Sequence, residues 1–142
     1  MASFIKKFYD GKFNSSKSIS CWGSGEPLRE FMHVDDLASA IIFLLEKWDP
    51  NSRDAPLDNK GNPLNLLNVG TGKDISIKNL ALKISKLVGY RGDILWDKTK
   101  PDGTPKKQLD TTKIKSLGWS PKISLDEGIM QTLKNYEAEY YL

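Results

Sequence analysis

The chain is 142 residues long, with 39% hydrophobic and 27% charged residues and a formal net charge of +3. That length suits one domain with a real core and excludes two full domains, and the composition excludes a disordered chain. No apolar run approaches the ~20 residues that span a bilayer, MASFIKKFYD is too short and polar for a secretory signal, and one cysteine, Cys21, excludes an internal disulfide and a thiolate metal cluster.

In chain order, SFIKKFY (residues 3–9) reads as a short amphipathic helix, and residues 18–22 and 30–33 as short strands. A second helix begins near Asp35, a plausible N-cap, and places Leu37, Ile41, Leu44, Leu45 and Trp48 on one face. Residues 49–63 hold three prolines and read as a surface loop. LNLLNVG (64–70) is the strongest strand candidate, an apolar run ending in glycine before a helix, as in a parallel α/β layer. Ser76 caps a third helix with Ile77, Leu80, Ala81, Ile84, Leu87 and Val88 at helical spacing and Gly89 as its stop. Residues 93–96 form a further strand, 111–117 a turn of helix ending at Gly118. Ser124 and Glu127 make a capping box for a last helix burying Leu125, Ile129, Met130, Leu133 and Tyr136. The pattern is mixed α/β, and the expected organisation is a single domain over residues 1–142.

Charge is unevenly spread. Residues 98–115 hold six lysines against two aspartates, whereas residues 124–142 hold four acids against one lysine. A localised basic stretch suits an anionic small ligand or a nucleic acid, and equally a solvated loop.

Several motifs fail on inspection. VGTGK (69–73) lacks the first glycine of a phosphate loop, since Leu67 stands there, and Asp74 replaces the magnesium-binding Ser or Thr. GSGEPL (23–28) has Leu28 where a dinucleotide fingerprint needs its third glycine. Both read as tight turns. His33, the single histidine, lacks partners at ligand spacing and reads as structural. Cys21 would be a nucleophile only beside a base. No tyrosine has a lysine four residues on, so no ketone-reducing Tyr-x-x-x-Lys pair is present. Binding chemistry remains. Arg29 has a planar fork that grips phosphate oxygens in pairs. Trp22 offers a flat face and one N–H. Lys7, Asp102, Lys106 and Lys107 add charge and an acceptor, and KPDGTPKK (100–107) is stiffened by two prolines and a glycine.

Four blocks in order carry a resemblance: WGSGEPLREFMHVDDLASAI, LNVGTGKDISIKNLALKISKLVGYRGDI, KPDGTPKKQLDTTKIKSLGW and ISLDEGI. Together they resemble the carboxyl-terminal part of the GDP-L-fucose synthase family, extended short-chain dehydrogenases/reductases acting on nucleotide sugars. The WGSG-x-P-x-REF and KPDGTP-[KR]-K blocks set it apart from related dehydratases and 4-epimerases. The resemblance implies a small mixed α/β substrate-binding domain without the main Rossmann domain. It also implies an intact enzyme that epimerises two carbons beside the ketone of GDP-4-keto-6-deoxy-D-mannose and reduces that ketone with NADPH. A carbonyl acidifies its neighbouring C–H bonds, so proton exchange at both carbons precedes reduction in one site.

By the resemblance Lys7, Trp22, Arg29 and Asp102 match substrate-contacting positions, with Lys106 and Lys107 as second-rank candidates. Lys7 and Arg29 are assigned to the diphosphate, Trp22 to the pocket wall and Asp102 to a substrate hydroxyl or other donor. The family's NADP loop, Ser and Tyr-x-x-x-Lys set and epimerising Cys and His have no counterpart here. This chain is therefore expected to hold no catalytic, cofactor-binding or metal-binding residue and to be inactive alone, a cytoplasmic fragment. Its expected partners are a GDP-sugar and an amino-terminal NADP(H)-binding domain, with homodimerisation possible in principle and no membrane or nucleic acid. The alternatives are a UDP- or dTDP-sugar enzyme's substrate domain, or a non-catalytic sugar-nucleotide module. The LNLLNVG strand and the DDLASAIIFLLEKW helix are expected to present an apolar, self-associating face.

Overall fold

A computed structural model describes residues 1–140; Tyr141 and Leu142, the end of the acidic segment, lie outside them. In chain order the elements are α1 (Ala2–Phe13), β1 (Ser18–Trp22), β2 (Leu28–Glu30), α2 (Val34–Lys47), β3 (Asp74–Ser76), α3 (Ile77–Val88), β4 (Asp93–Asp97), β5 (Lys106–Lys107), α4 (Thr112–Ser116) and α5 (Leu125–Tyr140). The architecture is mixed α/β, as the sequence pattern implies. Contacts divide it into two compact units, one comprising Met1–Arg29, Asp74–Lys107 and the chain from Asp126, the other Glu30–Lys73 and Gln108–Leu125.

In the first unit β1 and β4 run parallel, in register from Ser18 opposite Asp93 to Trp22 opposite Asp97. Alternation along β1 turns Ile19 and Cys21 inward and leaves Ser18, Ser20 and Trp22 outward. α1 packs against β1 and α3, burying Ile5 and Phe8, while α3 buries Leu80, Ala81, Ile84 and Val88. Gly11 lets α1 approach closely, because a Cβ there would strike Ile19 and Tyr90. α3 begins and ends where its sequence signals place it. The Ser76 hydroxyl accepts from the Asn79 amide at 3.1 Å, and Gly89 closes the helix in the left-handed region at φ 79°. On α5, Ile129 and Leu133 are buried, but Met130 is exposed. A second small sheet has the order β3-β2-β5.

The second unit is built on Ala40, Ile114 and Trp119, with Met32, Phe43, Leu44 and Val69 packed around them. Buried Asp36 accepts the amides of Lys122 at 2.9 Å and Ile123 at 3.0 Å. Two expectations fail here. The α2 cap is His33, whose Nδ1 accepts from the Asp35 amide at 3.3 Å, and not Asp35 itself. LNLLNVG forms no strand. A strand exists only where a neighbour takes its backbone groups, and here only the Leu64 amide is taken, by the Pro56 carbonyl at 2.9 Å, with no ladder continuing along 65–69 among the described residues; Val69 packs on the core. The apolar face of α2 is exposed, as expected of this helix: Leu37, Ile41, Ile42 and Leu45 are uncovered, because the unit's core engages the Ala40 side of the helix. Within 49–63 a tight turn closes on the Asp58 carboxylate, which accepts the Lys60 and Asn62 amides at 2.8 and 2.9 Å.

Candidate functional site

All six residues singled out from the sequence fall in the first unit. Arg29 on β2 and Lys107 on β5 are direct neighbours in the parallel register, one position beyond the Leu28–Lys106 pair. Residues paired this way share a sheet face, so two cations stand side by side, an arrangement that costs stability unless an anion joins it. Among the described residues neither has a carboxylate at ion-pair distance. The Arg29 Nη1 donates at 2.6 Å to the Leu28 carbonyl, which fixes the fork's direction and leaves its other donors. Lys106 differs from its neighbour. Its ammonium lies 3.2 Å from Asp74 Oδ2, a buried oxygen with this ion pair but no aligned hydrogen bond. Its charge is thus largely answered within the protein.

Trp22 closes β1 and is 71% exposed, with the Lys100 ammonium 5.6 Å from its ring centre, a cation–π contact over one face. Lys7 on α1 donates to the Ser20 carbonyl at 3.0 Å, which keeps its charge beside the end of β1.

The turn after Trp22 explains Asp102. Gly23 and Gly25 both have φ 79°, and a Cβ at Gly23 would collide with the Asp102 carboxylate. Asp102 Oδ1 accepts from the Ser24 amide at 2.9 Å and Oδ2 from its hydroxyl at 2.6 Å. These two bonds hold the Asp102 carboxyl below the usual carboxylate range. The turn's far side is braced by the first amides of α3: Lys78 donates to the Gly25 carbonyl at 2.8 Å and Ile77 to that of Pro27 at 3.0 Å, answering helix-end donors. Next to Asp102, Gly103 lies against Arg29, whose Nη2 would stand 3.0 Å from a Cβ. Glu26, Pro27, Asp102, Gly103 and Pro105 line a cleft of 170 Å³. Ligand pockets run from about 300 Å³, so this cleft alone is smaller than a typical ligand site.

Ser24, Gly23 and Gly103 were not singled out from the sequence. GSG and DG read there as turn formers, and nothing in their spacing says that two turns 78 residues apart are bonded to each other.

The remaining chemistry-bearing residues are structural. His33 is a helix cap. Burial pushes the Cys21 thiol up, with the Lys7 ammonium pulling weakly the other way; a protonated thiol in the core is a poor nucleophile. The Gly23–Gly25 turn does not fit a dinucleotide pyrophosphate, since it leads into β2 and not into a helix. Among the described residues no group of three His, Cys, Asp or Glu is placed to hold a metal ion, and no helix is long and apolar enough to cross a membrane.

The chain is similar to known proteins along most of its length. The model of the NAD dependent epimerase/dehydratase family matches residues 1–55. A GDP-L-fucose synthase from Escherichia coli (strain K12) is 42% identical over 130 residues, which is 92% of this chain and 39% of that one. Among solved structures, a GDP-6-OMe-4-keto-L-xylo-heptose reductase from C. jejuni superposes with a TM-score of 0.85 at 31% identity, covering 96% of this chain and 47% of that one. A GDP-mannoheptose C4 reductase from Campylobacter jejuni, solved with NADP bound, gives 0.80 at 32% identity, covering 96% and 44%. The chain thus spans about two fifths of the length of the curated relatives it matches. It has the mixed α/β fold of part of these extended short-chain reductases.

Proposed function

We propose that this chain is the substrate-gripping, carboxyl-terminal portion of a GDP-L-fucose synthase, the NADP-dependent enzyme that epimerises and reduces GDP-4-keto-6-deoxy-D-mannose. The observation that carries this reading is the Arg29–Lys107 pair, two cations in register with no internal anion, next to a cleft walled by Asp102 and Gly103. A diphosphate supplies the missing charge and takes paired hydrogen bonds from the arginine fork. Lys7 adds a further cation, and Trp22 supplies a flat wall for a ring once Lys100 swings off it. Lys106, neutralised by Asp74, shapes the strand more than it binds.

The three proteins named above share a GDP-linked sugar in their names, and the synthase is more similar (42%) than the two heptose reductases (31% and 32%), which favours the fucose-type substrate. NADP(H) and the proton-transfer residues belong in this reading to an amino-terminal portion, which would also cover the apolar face of α2. The chain alone binds and orients but does not turn over, and it works in the cytoplasm as a single substrate domain, as a homodimer when intact.

Calorimetric titration of the folded chain with GDP and, separately, UDP tests this. GDP binding clearly tighter than UDP supports it, because base-reading contacts then lie in this portion. Equal binding reduces the site to a diphosphate grip and favours a UDP- or dTDP-sugar enzyme. A folded chain that binds neither removes the support the cation pair provides.

A further inference from the structure

We infer that Ser24 is a positioning residue of this site and that Asp102 works chiefly through it: the Ser24–Asp102 pair is a latch fastening the proline-rich loop 100–107 to the turn that carries Trp22. The inference rests on the reading of the site as a nucleotide-sugar site and says how that site is assembled.

Three observations carry it. Both carboxylate oxygens of Asp102 are engaged by one residue, Oδ1 by the Ser24 amide and Oδ2 by the Ser24 hydroxyl. A two-point bond fixes orientation as well as distance, which one bond cannot. Next, the two loops have been cleared for each other. Gly23 has no room for a side chain under Asp102, and a Cβ at Gly103 would crowd the Arg29 guanidinium. Bringing Asp102 to Ser24 therefore also seats Gly103 against Arg29, with Trp22 two residues from one end of the latch and Arg29 at the other. Finally, residues 101–110 are all exposed, so the loop has little buried apolar area of its own to fix it, and the bonds at Asp102 carry weight that packing does not. The Ser24 hydroxyl also accepts the Glu26 amide at 3.1 Å, which stiffens the turn from within.

The consequence is that Asp102 does not act on substrate independently of Ser24. A double-mutant cycle on the whole 142-residue chain reads this directly, with GDP as probe and circular dichroism confirming that each variant is folded. Ser24→Ala and Asp102→Ala are each expected to weaken GDP by about tenfold, and the double variant by about the same factor and not its square. Ser24→Thr, which keeps the hydroxyl, is expected within about twofold of the wild type. Losses that multiply, or a Ser24→Ala chain that binds GDP normally, overturn the inference. Amide hydrogen exchange in the ligand-free chain gives an independent reading: Asp102→Ala, or Asp102→Leu if the alanine variant misfolds, removes the acceptor of the Ser24 amide and should speed exchange at Ser24 by about tenfold or more, and an unchanged rate refutes the latch. A folded wild-type chain that binds no GDP sinks the functional reading on which this rests, and the exchange rate then decides the latch alone.

Discussion

Arg29 and Lys107 form one rung of the β2–β5 ladder, side by side, and among the described residues neither has a carboxylate at ion-pair distance. Two like charges on neighbouring strands repel, so on the proposed reading the pair carries a cost that an anionic ligand would offset. Removing one cation should therefore affect binding and stability in opposite directions. Arg29→Ala is expected to weaken GDP binding by about 100-fold and Lys107→Ala by about tenfold, since the guanidinium makes paired bonds and the ammonium is a point charge. Lys107→Ala should leave the melting temperature unchanged or raise it by about 1–3 °C. Titration and thermal melts of the same samples check this. A variant that loses binding and stability together would mean that the pair has an internal partner.

Glu30, the next residue along β2, does a different job. Its carboxylate accepts the amides of Gly72 at 2.8 Å and Leu109 at 3.0 Å and the Thr71 hydroxyl at 3.2 Å, and Gly70 lies so close that a Cβ there would strike it. Partial burial raises its pKa, but the amide bonds from Leu109 and Gly72 and the Thr71 contacts together outweigh that, and the carboxyl stays below its ordinary value. A depressed folded-state value means the unfolded chain holds the proton more tightly. The stabilisation is therefore fully present above the ordinary glutamate range of about 4.3 and fades as pH falls through the lower folded value. Glu30→Ala should lose about 1–2 kcal/mol at pH 7, discounted for the group's partial exposure. Urea unfolding at neutral and acid pH checks this: wild type and Glu30→Gln should converge as pH drops below about 4.

The same stretch shows what was legible beforehand. α3 could be read end to end because its cap, apolar spacing and terminal glycine all lie in local sequence, and β1 and β4 because short apolar runs between turns have few other uses. Arg29, Trp22 and Lys7 came from side-chain chemistry and family resemblance together. The Glu30 carboxylate went unread for the reason that Ser24 did. Each takes its meaning from a partner about 40 to 80 residues away, and a polar residue in a turn carries no local mark of that partner. On α2 the exposed apolar face was legible from its periodicity, and only the cap was not, because an imidazole is not among the usual capping side chains.

That uncovered face leads to the third prediction. Leu45 is 83% exposed, Ile42 58% and Ile41 50%, a contiguous stretch on one helix that water solvates poorly. The chain should self-associate as its concentration rises, and Ile41→Glu combined with Leu45→Glu should abolish this while changing unfolding free energy by less than about 0.5 kcal/mol, as for ordinary surface substitutions. Sedimentation velocity over a hundredfold concentration range measures it. A wild-type chain that stays monomeric throughout would show that this face tolerates water.

Asp36 supplies the opposite case, a charge taken inside for structure. It is 3% exposed, and its two oxygens accept the consecutive amides of Lys122 and Ile123. Its own carbonyl accepts the Ser39 hydroxyl at 2.9 Å, and that hydroxyl in turn accepts the Trp119 Nε1–H at 3.1 Å. The carboxylate thus ties the start of α2 to the segment after α4, and Trp119, in the unit's core, is bonded to the same helix turn. Truncation leaves two part-buried amides unanswered, each costing about 1–3 kcal/mol at most. Asp36→Ala should therefore destabilise by about 3 kcal/mol, and Asp36→Asn by less, because the amide oxygen still answers one of the two donors. Ser39→Ala, which removes one hydrogen bond to Trp119 and leaves the carboxylate untouched, should cost about 1 kcal/mol. Chemical unfolding of the three variants orders them Asp36→Ala, Asp36→Asn, Ser39→Ala by severity, and a Ser39→Ala loss as large as that of Asp36→Ala would relocate the tie from the carboxylate to the tryptophan.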